Sequence, residues 1–453
     1  MKRLPFFLVV LFAGAMFWPA TRAAAADDSR NSGLAPTPPM GWNSWDSYGP
    51  TVREEEVKAN ADYMAANLAK FGWQYVIVDI EWYQPKSKAH GYIPRGEVTL
   101  DEYGRFVPSP NRFPSAANGA GFKALADYVH SKGLKFGFHI MRGISREAVD
   151  KNLPIKGTKY HAADVADKIN VCKWEGMEDT YGVDMSKPGA QAYYDSIAEL
   201  YAAWGADYIK ADDLSSPARA SEILALHEAL RKTGRPIVLS LSPGPFHPEY
   251  ADFLKTTSQL WRISWDFWDN WDALKRQFEI AHNWESHVGP NSWPDADMLP
   301  LGHIGIRAER GDDRFSLFTQ DEQRTVMTLW SIFRSPLMFG GDLPSNNAFT
   351  LALITNSEIL EMNQHSKGGH QSYHERDTIA WTAELEDGKA NYVALFNIGD
   401  TKSMVNLKWS DVGLSAKRPK VRDLWLQKDL GEMEQLSMRL EPHSSVVYRV
   451  EGK

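Results

Sequence analysis

The stretch YDSIAELYAAWGADYIKAD, residues 194–212, decides the fold. Its first part repeats apolar residues at helical spacing, Gly205 follows, and a short apolar segment then closes on Asp212. A helix that ends on glycine and leads directly into a short apolar strand is typical of an α/β repeat. We therefore predict a helix at Tyr194–Trp204 and a strand at Ala206–Asp212.

The same order of elements recurs elsewhere in the chain. A helical pattern from Val57 to Phe71 precedes a strand-like run at Tyr75–Asp79, and a helix at Leu125–Lys132 precedes a strand at Leu134–Ile140. Further strands are predicted at Pro38–Trp42, Pro236–Ser242, Ser258–Ser264 and Ser335–Phe339. Repeated units of this kind form a parallel sheet, and their total span matches one (β/α)8 TIM barrel with insertions. No glycine-rich phosphate motif follows a strand, which disfavours a dinucleotide-binding open sheet.

After about His365 the pattern changes to short strands separated by Gly, Asp and Lys turns. The predicted strands are Thr378–Thr382, Tyr392–Phe396, Val405–Trp409, Arg422–Trp425 and Ser445–Val450. We therefore predict a catalytic (β/α)8 barrel at residues 35–364 and a small C-terminal antiparallel β-sandwich domain at residues 365–453. A chain of 453 residues is long for one core, which agrees with this division.

The N-terminus has the features of an export signal. Lys2 and Arg3 precede the apolar run Leu4–Phe17, and the small residues Ala23–Ala26 follow. The apolar run is shorter than the roughly 20 residues that a membrane span needs, so a membrane anchor is disfavoured. We predict that residues 1–26 are a signal peptide, that the protein is exported to the periplasm or secreted, and that it has no membrane association after cleavage.

Composition excludes several classes of function. The formal net charge is -8 with both signs interspersed, which disfavours a nucleic-acid partner. Cys172 is the only cysteine, so neither an intrachain disulfide nor a cysteine-based metal cluster can form. The chain has no HExxH motif for a zinc hydrolase and no GxSxG motif for a serine hydrolase.

Carboxylates at strand ends are the main chemical signal. Asp79, Asp212 and Asp266 each close an apolar or mixed run. Any one of them could be a helix N-cap or a turn residue. Three together, with Lys210 and Arg262 close by in sequence, favour a functional site instead. Glycoside hydrolysis needs two carboxyl groups across one bond, one that attacks or activates water and one that protonates the leaving oxygen.

Tryptophans accompany these carboxylates. Flat aromatic faces can pack on sugar C–H groups, although an isolated tryptophan usually belongs to the core. His139, at the end of a predicted strand, is the best histidine candidate, with a structural role as the alternative. The tryptophans concerned are Trp42, Trp45, Trp82, Trp261, Trp265, Trp268 and Trp271.

The sequence resembles glycoside hydrolase family 27, the α-galactosidase or melibiase family. The resemblance rests on five ordered motifs: Thr37–Trp45, Tyr208–Asp212, Trp261–Asp266, Trp293–Leu299 and Ser335–Asp342. It implies a (β/α)8 barrel, a C-terminal β-domain, retention of anomeric configuration, a carbohydrate substrate, and no cofactor or metal. It further implies that Asp212 is the nucleophile and Asp266 the general acid/base. The substrate-binding positions that it implies are Trp42, Asp79, Lys210 and Arg262.

Three departures from the family pattern concern the substrate. Many members carry two adjacent aspartates where this chain has Asp79-Ile80, and Ile80 cannot bind a sugar hydroxyl. An isoleucine here resembles members that act on β-L-arabinopyranosides, whose sugar keeps the ring hydroxyl arrangement of galactose without its hydroxymethyl group. His139 replaces an expected aromatic hydroxyl, and Ser240–Gly244 lacks an expected glutamate. The substrate stays open between an α-D-galactoside and a β-L-arabinopyranoside, and the alternative to an enzyme is a non-catalytic carbohydrate-binding barrel.

Overall fold

The computed structural model describes residues 33–174 and 176–452. Eight parallel strands form a closed barrel in the order β7-β6-β5-β4-β3-β2-β1-β8, and a parallel bridge between Leu299 and Phe339 joins the two ends. The predicted signal peptide, residues 1–26, lies outside the described residues. The barrel strands are β1 (Met40–Asn43), β2 (Tyr75–Val78), β3 (Lys135–Met141), β4 (Tyr208–Asp212), β5 (Val238–Leu241), β6 (Leu260–Arg262), β7 (Trp293–Asp295) and β8 (Leu337–Phe339).

Helices surround the barrel. Gly205 ends α3 in the left-handed conformation at φ 88°, and this capping turn leads directly into β4 as the sequence predicts. The Asn270 side chain accepts a hydrogen bond from the Ala273 N–H and so begins α6. The main helices are α1 (Glu54–Asn67), α2 (Lys123–Ser131), α3 (Ala190–Trp204), α4 (Ala220–Lys232), α5 (Ala251–Thr257), α6 (Trp271–Trp284), α7 (Gln320–Phe333), α8 (Ala348–Ile354) and α9 (Ser357–His365).

Strand alternation sorts the barrel residues into two layers. Tyr75, Ile77 and Tyr208 belong to the apolar core inside the barrel. Val76 and Ile209, one residue away, belong to the core between strands and helices. Because side chains alternate along a strand, the next inward positions of β2 and β4 lie at the carboxyl-end mouth of the barrel. That mouth is where active sites of (β/α)8 enzymes lie.

The predicted (β/α)8 barrel is confirmed, with one strand that the sequence did not reveal. β7 is only three residues long and contains Pro294, which has no N–H to donate to a neighbouring strand. The long chain segment between β3 and α3 was also not predicted. It carries a small antiparallel sheet made of Ile144–Ser145, Ala166–Asp167 and Thr180–Val183, next to the barrel mouth.

The C-terminal region is an antiparallel β-sandwich, as predicted. A six-stranded sheet of order β9-β10-β11-β16-β13-β14 faces a two-stranded sheet of β12 and β15. Between them lies a separate apolar core that includes Val393, Leu395 and Trp409. The strands are β9 (Ser366–Glu375), β10 (Thr378–Leu385), β11 (Asn391–Asn397), β12 (Ser403–Lys408), β13 (Lys420–Asp423), β14 (Lys428–Glu432), β15 (Gln435–Leu440) and β16 (Ser445–Glu451).

The other face of the six-stranded sheet packs on the barrel helices. Trp381 and Phe396 belong to the same apolar core as the barrel, and the Phe396 ring lies 4.9 Å from that of Phe278 in α6. The Trp425 indole N–H donates to Thr328 Oγ1 of α7 at 2.9 Å. The barrel and the β-sandwich therefore share one buried interface. Among the described residues, no helix is both long and apolar enough to cross a membrane.

Candidate active site

A cavity opens at the carboxyl ends of the barrel strands. It holds about 470 Å³ of empty space, including its open mouth, and charged groups line one part of it while aromatic side chains line another. Six of the eight predicted site residues line it. The lining residues are Trp45, Asp46, Asp79, Ile80, Tyr92, Trp174, Lys210, Asp212, Ser242, Pro243, Arg262, Asp266, Phe267, Trp268, Asp297 and Met298.

The two carboxylates predicted to be catalytic line the same cavity in different environments. Asp212 is the last residue of β4, and its side chain is 8% exposed. Asp266 lies four residues beyond the end of β6, and its side chain is 40% exposed. One carboxylate is thus buried in the cavity wall, while the other is open to solvent.

Asp212 is held as a carboxylate by a histidine behind it. His139 Nε2 lies 2.7 Å from Asp212 Oδ2, and the imidazole is completely buried. Burial raises the pKa of Asp212, but the electrostatic pull and hydrogen bond of His139, with a contribution from Lys210, lower it below its ordinary value. The His139 hydrogen bond also fixes the orientation of the carboxylate.

Asp79 and Lys210 form a buried ion pair next to Asp212. Lys210 Nζ lies 2.9 Å from Asp79 Oδ2, which also accepts from the Asn43 amide at 2.7 Å. Burial raises the pKa of Asp79, yet Lys210 and His139 lower it to about 2. Burial lowers the pKa of Lys210, but the neighbouring Asp79 and Asp212 carboxylates raise it above its ordinary value. Both partners are therefore charged across the neutral range, and Lys210 lines the cavity with donors left for a ligand.

Arg262 connects Asp266 with a further aspartate, Asp297. Its Nη2 atom lies 3.2 Å from Asp266 Oδ1 and 2.8 Å from Asp297 Oδ2. Burial raises the pKa of Asp297, and repulsion from the charge of Asp266 raises it further. The positive charge of Arg262 lowers this pKa, but the net shift is upward. The pKa of Arg262 is raised by Asp297 and Asp266 although burial lowers it. One guanidinium thus orients both carboxylates on this side of the cavity.

Another part of the cavity wall is apolar. Ile80 is 2% exposed and packs in a cluster with Met141, Cys172 and Met177. Trp45, Tyr92 and Trp174 pack against this cluster and line the cavity, and the Trp45 and Tyr92 rings stack with centroids 6.0 Å apart.

Two predicted substrate-binding residues do not line the cavity. Trp42 is fully buried between the barrel and its helices, where its indole N–H donates to the Gly341 carbonyl at 2.9 Å. Strand alternation explains the error, because Trp42 points outward from β1. Trp45, just beyond the end of β1, lines the cavity instead. His139 lies behind Asp212, so its contact is with a carboxylate of the chain.

Sequence reasoning also missed an acidic residue at the cavity. Asp46 is 3% exposed, and its Oδ2 atom has no hydrogen-bond partner among the described residues. Burial and repulsion from Asp297 raise the pKa of Asp46 well above its ordinary value. The available sequence signal for Asp46 was its position directly after Trp45, in the motif at the end of β1. Where the family pattern has a glutamate after the fifth strand, Ser242 lines the cavity.

A closed parallel barrel with two carboxylates of contrasting environment at its mouth is an arrangement that suits a glycoside hydrolase. Comparisons with known proteins agree with this class. The family model described as Alpha galactosidase A matches residues 37–148 and 176–365, and that of the Alpha galactosidase C-terminal beta sandwich domain matches residues 375–450. The chain belongs to the α-galactosidase (melibiase) family, glycoside hydrolase family 27.

Similar solved structures cover the whole described fold. A family 27 β-L-arabinopyranosidase from Geobacillus stearothermophilus is 50% identical, with a TM-score of 0.91 over 93% of this chain and 98% of that chain. A variant of that enzyme has been solved in complex with arabinose. A protein from Bacillus halodurans described as a putative α-N-acetylgalactosaminidase is 45% identical, with a TM-score of 0.82 over 92% of this chain and 97% of that chain.

Curated relatives are more distant. The α-galactosidase of Coffea arabica is 30% identical over 92% of this chain and 94% of its own length.

Proposed function

We propose that this protein is a retaining exo-glycosidase that removes terminal galacto-configured pyranosides and prefers β-L-arabinopyranosides to α-D-galactosides. The observation that carries the proposal is one cavity with Asp212 and Asp266 at its charged side and Ile80 in its apolar wall.

In the proposed mechanism, an oxygen of Asp212 attacks the anomeric carbon while the bond to the leaving oxygen breaks. Asp266 gives its proton to that oxygen. In the second step Asp266 takes a proton from water, the water oxygen attacks the same carbon, and the ester bond to Asp212 breaks. Two displacements at one carbon retain its configuration.

The environments of the two residues support this division of roles. Asp212 has a lowered pKa and is ionised at neutral pH, as a nucleophile must be. Asp266 is the more exposed carboxyl and can exchange protons with the solvent between the two steps. Lys210 and Asp79, charged and next to Asp212, supply a donor and an acceptor for ring hydroxyls.

Ile80 supports the preference for arabinopyranose. A hydroxymethyl group placed against Ile80, Met141 and Cys172 would leave its hydroxyl without a partner. An unpaired buried hydroxyl costs about 1–3 kcal/mol, which is enough to reverse the order of two substrates. L-arabinopyranose has no such group. A family relative described as a β-L-arabinopyranosidase is also the one with 50% identity.

The competing substrate is an α-D-galactoside, because curated relatives such as the Coffea arabica enzyme are described as α-galactosidases. Measurement of kcat/KM on the p-nitrophenyl glycosides of both sugars decides between them. The Ile80→Asp variant should shift the ratio toward galactose by about 10-fold or more, since it adds a hydrogen-bonding group at that wall. Ile80→Val keeps the wall apolar and is the matched control. An unchanged ratio in Ile80→Asp would exclude Ile80 as the determinant.

The alternative of a non-catalytic carbohydrate-binding barrel predicts that no sugar is released from any glycoside. Under the proposal, the wild type releases sugar, and Asp212→Asn abolishes release while circular dichroism shows an intact fold. Full activity in Asp212→Asn would remove this residue from the mechanism.

A further inference from the structure

Trp265 stands out among the aromatic residues near the active site because it is exposed. Its relative exposure is 61%, whereas Trp268 is 7% exposed and the aromatic residues that line the cavity wall are buried or half-buried. A large aromatic side chain left open to solvent beside a binding site is a common feature of ligand contact surfaces.

The Trp265 ring packs against the chain on one side although it is exposed. It rests on Gly244, where an added Cβ would lie only 2.7 Å from ring atom Cζ3 and 3.0 Å from Cη2. Gly244 follows Pro243, which lines the cavity. The ring is therefore backed by the chain segment that forms the cavity wall, and it presents the rest of its surface to solvent.

Its position next to Asp266 in the chain and its contact with Gly244 place this surface near the proposed general acid. Trp265 directly precedes Asp266, so their Cα atoms are about 3.8 Å apart. A general acid lies within about 2.6–3.2 Å of the oxygen that it protonates. That oxygen belongs to the leaving group, whose first ring must therefore lie just outside the cavity, on the side of Asp266. Trp265 is the exposed aromatic residue beside that place.

We propose that Trp265 is the platform for the leaving group, with the indole face packing on the C–H face of the pyranose that the departing oxygen belongs to. This inference rests on the proposed function and extends it from the sugar inside the cavity to the sugar outside it. A flat apolar surface packs against a pyranose face without reading individual hydroxyls. The enzyme therefore favours glycosides of sugars over glycosides of small alcohols, with broad tolerance of which sugar leaves.

The test compares two substrates that share the sugar in the cavity. One is the methyl glycoside, whose poor leaving group needs protonation by Asp266 but cannot reach Trp265. The other is a disaccharide that carries the same sugar on O6 of glucose. In Trp265→Ala we expect kcat/KM for the disaccharide to fall about 10-fold or more, the factor for losing one aromatic contact, while the methyl glycoside is unaffected.

Two control variants complete the test. Trp265→Phe keeps an aromatic face and should retain most of the preference for the disaccharide. Leu426→Ala removes an apolar side chain of similar exposure, 69%, in the C-terminal domain and should change neither substrate. The pH profile of methyl glycoside hydrolysis should be the same in Trp265→Ala and the wild type.

The outcomes separate this inference from the proposed function. Equal losses on both substrates in Trp265→Ala would show that Trp265 only positions Asp266, and no loss on either would show that it contacts nothing. Either result would overturn the proposed role of Trp265 as a platform for the leaving group, and would leave the glycosidase assignment intact. A wild type that cleaves neither substrate overturns the proposed function and the platform with it.

Discussion

At the scale of single residues, the decisive contact is between His139 and Asp212. A carboxylate buried this deeply would hold its proton, because burial disfavours its charged form. His139, 2.7 Å away, and Lys210 reverse that tendency and lower the pKa of Asp212. The proposed nucleophile is thus made available by a residue that does not itself line the cavity.

Removal of this contact should change the pH dependence of catalysis. An ionised Asp212 is required, so activity is lost as the pH falls through its pKa. In His139→Phe the burial remains while the opposing interaction is gone, so the pKa rises and the acidic limb of the kcat/KM profile moves to higher pH. Turnover at neutral pH should also fall, by up to about 100-fold, because the carboxylate loses its fixed orientation.

His139→Gln is the matched variant, since its amide can still donate to Asp212 without the imidazole. Its acidic limb should lie between those of the wild type and His139→Phe. An acidic limb that stays in place in His139→Phe would mean that His139 does not control the ionisation of Asp212.

At the scale of elements, strand alternation places the site. Inward positions of β2 and β4 carry Asp79, Lys210 and Asp212 to the barrel mouth above the apolar residues Tyr75 and Tyr208. The close approach of β3 and β4 makes the His139 contact possible. At Gly137 of β3, an added Cβ would lie 2.7 Å from both the Cβ and the carbonyl oxygen of Tyr208.

Gly137→Ala should therefore push β3 away from β4. We expect a loss of about 1–3 kcal/mol in the free energy of unfolding, the usual cost of overpacking, together with reduced kcat because His139 moves with β3. Gly289→Ala is the control, since a Cβ there meets nothing within 4 Å. Thermal melts and kinetics of the two variants test this. Equal melting temperatures would contradict the close packing of β3 on β4.

Much of this architecture is predictable from the sequence because the relevant signals are local. Helix, capping glycine and short apolar strand occur together at three barrel strands, and four further strands could be located as short segments elsewhere in the chain. β7 escaped notice because it is short and contains Pro294. β9 (Ser366–Glu375) and β14 (Lys428–Glu432) are rich in polar or exposed residues and have no apolar alternation to reveal them.

The site was predictable to a similar extent. The charged residues at strand ends line the cavity because the ends of parallel strands meet there. Trp42 was wrongly placed because its motif does not show which of its tryptophans faces inward. The raised pKa of Asp46 and the ion pair of Arg262 with Asp297 depend on contacts between segments that are distant in sequence, which no local pattern reveals.

At the scale of the whole molecule, the β-sandwich is part of the barrel's support. Phe396 and Trp381 are fully buried against the barrel helices and belong to its core. His443 of the C-terminal domain stacks on Trp271 of α6 with ring centroids 3.7 Å apart. A shared apolar interface of this kind makes two domains unfold together.

Phe396→Ala should destabilise the whole chain, by about 3–5 kcal/mol, because it leaves a cavity at this interface. Differential scanning calorimetry should show a single transition at a lower temperature, with activity lost in the same transition and KM unchanged below it. Met404→Ala, at a side chain that is 65% exposed in β12, should leave the melting temperature unchanged. Two separate transitions, with an active barrel surviving the first, would contradict the shared core.

The most direct test of the central claim is to trap the sugar on the enzyme. A glycosyl fluoride of the preferred sugar that carries a second fluorine on the ring slows both steps, because both transition states are oxocarbenium-like. Its good leaving group keeps the first step faster than the second, so that the covalent intermediate accumulates. Peptide mass spectrometry after proteolysis then locates the bound sugar. We expect it on the carboxylate of Asp212. A sugar found on Asp266 or on any other residue, or turnover of ordinary substrate with inverted configuration and no adduct, would contradict the account.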